Sequence, residues 1–204
     1  MKAKKDTGPG FSTNRIEALT DGIFAIAMTL LVLTLELPQT SGLSAPQLHE
    51  ILLSQFDKFF NYALSFILLA VFWIIHHQQF HHIRKTDHNL LWLNIFTLIF
   101  VALMPFSTSL VGDFGYDWMA DLFFNLNMFM LGLLFSLTWI YAAGGHRLVS
   151  KNLEEKKIIG GIKRGLVVPL VSLIAVAAGF LSPGNSGYAY LLIPVVHLLP
   201  YFRS

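Results

Sequence analysis

Apolar residues in this chain of 204 fall in six long blocks, roughly 16–37, 57–80, 90–112, 119–143, 164–182 and 187–202. A helix needs ~20 consecutive apolar residues to cross the hydrocarbon core of a bilayer; most blocks approach that length and the last is short. Only helices and closed barrels satisfy their own backbone hydrogen bonds inside lipid, and continuous apolar runs of this length are helices. The expected fold is therefore all-α, an integral membrane bundle of six transmembrane helices forming one domain over 1–204. Composition agrees. Charged residues make up 13% of the chain, against about 25% in a soluble domain. The basic start (Lys2, Lys4, Lys5) runs into an apolar stretch from Ile23 to Leu35 with no small-residue cleavage site behind it. That stretch reads as a retained span and not as a leader.

Cations set the expected orientation. Lys2, Lys4, Lys5 and Arg15 precede the first span. Arg84 and Lys85 lie between the second and third. Arg147, Lys151, Lys156, Lys157, Lys163 and Arg164 lie between the fourth and fifth, and Arg203 follows the sixth. Six crossings put all of these on one side and only Lys58 on the other. By the positive-inside rule the crowded side, with both termini, is cytoplasmic. Residues 48–60 show apolar periodicity after Ser44 and Pro46, which suits a short amphipathic helix leading into the second span. The run Lys151 to Lys157 reads as a solvated connector. Net charge is only +2, so nothing points to nucleic acid as a partner. Cysteine is absent, which excludes disulfides, thiol catalysis and Cys-ligated zinc.

The first span carries an acid, Asp21, near its entrance. An ionisable group inside a membrane helix is a functional or architectural flag, because it must be paired or solvated to be tolerated. At about 100° per residue, Ile26, Thr29, Leu30, Leu33 and Leu37 share one stripe, and Asp21 points well over a quarter-turn away from the stripe's centre. The acid and the stripe therefore meet different neighbours. Asp21 is expected to face another helix and accept hydrogen bonds or a cation, with Arg15 or a histidine as candidates. Aliphatic stripes commonly face lipid or packed helices, so periodicity alone leaves the stripe's role open. His76, His77, His81 and His82 cluster at the end of the second span. His77 and His81 have the i, i+4 spacing of a chelating pair, but no Glu completes a HExxH pattern. No metal site is assigned; a solvated, titrating rim fits His81 and His82.

Arg15-x-x-x-Leu19-Thr20-Asp21 resembles the Arg-x-x-x-Phe-Ser-Asp signature of the transmembrane protein 175 family, lysosomal potassium channels and their bacterial homologues. The following Gly-Ile-Phe-Ala-Ile-Ala-Met-Thr-Leu-Leu-Val-Leu is similar to the bacterial branch. Phe72-Trp73-Ile-Ile-His76-His77, Leu91-Trp92-Leu93-Asn94 and Leu103-Met-Pro105-Phe106 look like the family's second and third helices. Leu19 and Thr20 replace Phe and Ser: the first loses an aromatic edge, the second keeps the hydroxyl. The resemblance implies one repeat per chain and a homo-tetramer whose first helices line a central pore. It places the narrowest constriction at Ile26, potassium preference at Thr29 and further hydrophobic layers at Leu30 and Leu33. It also implies an inter-helix hydrogen-bond network of Arg15, Asp21, Trp73 and His77. Potassium and other monovalent cations would be permeants in a multi-pass protein of the bacterial inner membrane, with no cofactor and no enzymatic activity.

Such a pore would not work like a carbonyl filter. No Thr-Val-Gly-Tyr-Gly loop is present, and Gly115-Tyr116 sits among Asp113, Phe114 and Asp117. Two other classes of function compete. A secondary transporter could use Asp21 as a proton or cation site, though no inverted repeat or pair of broken helices is evident. A membrane-embedded metalloenzyme could use the histidines, though only Asp87 is near them to complete a ligand set.

Overall fold

The computed structural model describes residues 12–36, 45–181 and 186–198. Lys2, Lys4, Lys5, Leu37, Ser44, Tyr201 and Arg203 lie outside them. The described residues form seven α-helices: α1 Thr13–Leu30, α2 Ala45–Ser54, α3 Phe56–His82, α4 His88–Phe114, α5 Trp118–Ala143, α6 Glu155–Leu181 and α7 Leu192–Leu198. A 3-10 segment, Leu31–Thr34, continues α1, and another, Ser186–Leu191, leads into α7. Among the described residues five helices are long and apolar enough to cross a membrane: α1 with its 3-10 extension, α3, α4, α5 and α6. The sixth expected block differs. Over its described residues it is a 3-10 turn and a short helix, packed through Tyr190 and Ile193 into the core.

Two other expectations shift at their edges. The amphipathic helix is α2 and stops at Ser54; Phe56 to Phe60 already belong to α3. The fifth span begins at Glu155, so Glu155 to Lys157 are helical and not loop. Hydropathy marks only the part of a helix that lies in lipid, whereas backbone hydrogen bonding continues into the charged turns beyond it.

Helix α5 is the centre of the bundle, between α4 and α6. The turn after α4 is tight, and the Asp117 side chain accepts the Met119 N–H at 2.8 Å to cap α5. Asp87 likewise caps α4 through Leu90 N–H at 2.9 Å. Side-chain oxygens at these positions satisfy donors that a helix start leaves open. The α5–α6 contact is close because a glycine stands on one side of each near approach. A Cβ at Gly132 would stand 2.6 Å from Pro169 Cδ and 2.9 Å from its backbone nitrogen, and one at Gly161 would stand 2.2 Å from Trp139 Nε1. Small residues permit such approach where lipid supplies no hydrophobic drive between helices. The main core gathers Phe24, Ala27 and Leu31 of α1, Leu68, Leu69 and Phe72 of α3, Val101 and Met104 of α4, and Met128 and Phe135 of α5. Phe72 and Phe135 stack with centroids 5.2 Å apart.

Candidate functional site

The two faces of α1 have opposite surroundings. Ile16, Thr20, Phe24 and Ala27, followed by Leu31, are buried at 3- to 4-residue spacing against α3 and α4. The other side is bare. Ile26 is 56% exposed, Leu33 64% and Leu30 43%, and Leu19, Gly22, Ala25 and Thr29 are exposed with them. The sequence-derived stripe is thus the part of α1 that the chain itself leaves uncovered. Leu19, the substituted motif position, lies on this uncovered side and not in the helix packing.

Local backbone chemistry orders the stripe further. Thr29 Oγ1 donates to the Ile26 carbonyl at 2.8 Å. Its proton is therefore spent inside the helix, and its lone pairs are what it offers to the bare face. At Leu31 the helix tightens to 3-10, where residues three apart eclipse one another. Thr34 Oγ1 donates to the Leu31 carbonyl, also at 2.8 Å. The result is a file of aliphatic side chains interrupted by one acceptor-only hydroxyl.

Asp21 lies off the stripe. Its Oδ1 accepts the Trp73 indole N–H at 2.8 Å, which ties α1 to α3. His77, one turn after Trp73, has its ring stacked on the indole at 6.0 Å. Asp21, Trp73 and His77 are therefore together. Arg15 is exposed, and no ion pair joins it to Asp21 among the described residues. His76 and His77, adjacent on α3, meet different surroundings. His76 is buried against Phe80, with centroids 4.2 Å apart, beside Asn94; His77 is exposed. His81 is exposed, as expected of a rim, whereas His82 is half-buried beside Trp139. Among the described residues no three metal-ligating side chains converge.

Sequence reasoning overlooked one pair. Thr20, fully buried, accepts from Asn94 Nδ2 at 3.1 Å, and its own hydroxyl lies 3.4 Å from Asn94 Oδ1. This pair joins α1 to α4 one residue from Asp21. The two bonds fix α1 on two sides, toward α3 through Asp21 and toward α4 through Thr20. Both partners stood in quoted motifs, but their separation of 74 residues hid the contact.

Comparison with known proteins places these residues in context. The family profile described as the endosomal/lysosomal potassium channel TMEM175 matches residues 15–105, which span the motif, the stripe and Asn94. A potassium channel of Chamaesiphon minutus is 31% identical over 173 residues, 83% of this chain and 85% of that protein. The human endosomal/lysosomal proton channel TMEM175 is 27% identical over 207 residues, 92% of this chain but only 41% of that one. The crystal structure of a lysosomal potassium-selective channel TMEM175 homologue from Chamaesiphon minutus superposes with a TM-score of 0.80 at 28% identity, covering 93% of this chain and 97% of that chain.

Proposed function

The chain belongs to the TMEM175 channel family, and from that premise we propose that it is a potassium-preferring cation channel whose pore is lined by α1. The observation that carries the reading is the bare stripe: Ile26, Thr29, Leu30 and Leu33 are uncovered while the opposite side of the same helix is fully packed. A pore lined by α1 needs several copies of it, and each chain supplies one. We propose a homo-tetramer, in which rotational symmetry turns four such stripes toward a common axis. Leu19, Gly22, Ile26, Thr29 and Leu33 then form successive rings.

The chemistry follows from those side chains. A ring of Ile26 leaves a narrow neck with no group to replace lost hydration. Potassium holds its water less tightly than sodium and loses less on entering. Thr29 hydroxyls, with their protons committed to Ile26 carbonyls, present oxygen lone pairs beside the neck. Leu30 and Leu33 add further dry layers, and a small rotation of α1 would wet or dry the neck, as in hydrophobic gating. The Asp21–Trp73–His77 group holds α1 against α3 and so sets that rotation; we place Arg15 in the same group on the motif pattern. The domain spans 1–204 in a bacterial inner membrane, with six crossings that put both termini on the cytoplasmic side. The activity uses no cofactor and no catalytic step; potassium is the permeant ion.

Reconstituted protein in a planar bilayer, with potassium on one side and sodium on the other, tests this. The expected current is ohmic, uncoupled to protons, with its reversal potential displaced toward the potassium equilibrium. A saturable flux that follows the proton gradient would overturn it in favour of transport through Asp21.

A further inference from the structure

A glycine inside a helix weakens it relative to alanine, so its presence calls for a reason. At Gly132, Gly161 and Gly179 the reason lies within the chain, where a Cβ would run into Pro169, the Trp139 indole and the Asp121 carboxylate. At Gly22, in the middle of α1, a Cβ would meet nothing within 4 Å. Gly22 is exposed on the bare side of the helix. The space it leaves open therefore lies outside the chain, where the proposed pore runs.

Two bulky side chains stand on either side of that space. Ile26 follows Gly22 by about a turn and is 56% exposed; Leu19 precedes it and is 49% exposed. Leu19 and Ile26 are two turns apart, roughly 10 Å along the helix axis. At about 100° per residue, Leu19 falls between Ile26 and Leu30 around the helix, about 20° from each. It thus belongs to the same strip of surface as the two residues placed in the dry layers. It is also the first large apolar side chain left uncovered after Arg15, which is itself exposed. The bond from Trp73 to Asp21 lies between these levels and off the strip, so it fixes how the strip is turned without filling the space. A ring of branched aliphatic side chains offers a passing ion no oxygen. A ring of glycines leaves width for water, so hydration shed at the first is regained at the second.

We propose that Leu19 forms a second dry ring on the Arg15 side of the pore, and that Gly22 keeps a water-filled chamber between it and Ile26 in which a potassium ion is rehydrated. This rests on the reading of α1 as the pore lining. Two dry rings in series act as two resistances, so relieving one leaves the other in control. Full-length protein recorded in planar bilayers in symmetric potassium tests this with Ile26→Asn, Leu19→Asn and the two combined. Leu19→Asn alone is expected to change unitary current by less than about twofold, but to raise it about threefold or more in the Ile26→Asn background. The same fold-change in both backgrounds, or none, would overturn the second ring and leave the Ile26 neck standing. No gain from Ile26→Asn itself would remove the pore reading, and this ring with it. Gly22→Val fills the chamber without touching the rest of its own chain, and should cut the current by about threefold or more with oligomer yield intact. Unchanged current would overturn the chamber; loss of the oligomer would assign Gly22 to contact between α1 helices and overturn it too. If the double variant does not assemble, Leu19→Cys is read instead. The chain has no cysteine of its own, so a permanently cationic thiosulfonate added on the cytoplasmic side can react only there and should block most of the current. Current unaffected by the reagent refutes the second ring.

Discussion

Removing one methyl-sized polar group from α1 tests how the helix is held. Thr20→Val keeps the β-branched shape, so no cavity opens at a position that is fully buried. What is lost is the oxygen that accepts Asn94 Nδ2 at 3.1 Å. Asn94 is itself buried, so its amide is left with an unmet donor, a defect of about 1–3 kcal/mol in a water-excluded core. The membrane moderates this, because helices separated in lipid also find polar partners; interhelical bonds there average about 0.6 kcal/mol and reach about 1.7. We therefore expect Thr20→Val to destabilise by about 1–2 kcal/mol. Asn94→Leu alone should be milder, since the Thr20 hydroxyl can turn back to a carbonyl of its own helix. Thr20→Val with Asn94→Leu removes both partners and should fall short of the summed losses by roughly 1 kcal/mol. Denaturant unfolding in mixed micelles, followed by tryptophan fluorescence, measures all four corners of the cycle. A coupling energy indistinguishable from zero would refute the claim that this pair anchors α1 to α4.

Other predictions address the stripe and its supports. Ile26→Asn should raise unitary current several-fold with no loss of folding, because the side chain is uncovered in the chain and a polar ring keeps the neck wet; bilayer recording checks both conductance and ion block. Thr29→Val should lower the potassium-over-sodium permeability ratio while leaving oligomer yield intact, since it deletes the only hydroxyl on the bare stripe; an unaltered reversal potential removes Thr29 from selectivity. Trp73→Phe deletes the donor to Asp21 and should weaken assembly by about 1 kcal/mol, seen as earlier subunit dissociation on heating; altered selectivity with a normal oligomer would instead place Asp21 in the ion path. Gly132→Leu should abolish folding, because a Cβ there already meets the Pro169 backbone nitrogen at 2.9 Å; recovered, monodisperse protein would contradict the α5–α6 contact.

Much of this protein is legible from the order of its residues. Apolar run length located α1, α3, α4 and α5 to within a few residues, because a bilayer imposes one helix length on any chain that crosses it. Helical periodicity separated Asp21 from the stripe of Ile26, Thr29 and Leu30, because these lie on one regular helix; Leu33, in the 3-10 segment beyond it, is uncovered with them. Periodicity has no sign, however. It cannot say which side of α1 meets protein, since in a membrane both sides are apolar. Only the packing of Phe24, Ala27 and Leu31 against α3 and α4 decided that. The same holds for adjacent histidines: His76 and His77 differ by about 100° of helix rotation, and the position of α4 and α5 determines which one is buried. Contacts such as Thr20 with Asn94, or Arg84 with the connector before α6, join residues far apart in the chain. They depend on how helices pack, a property that no local stretch of sequence contains.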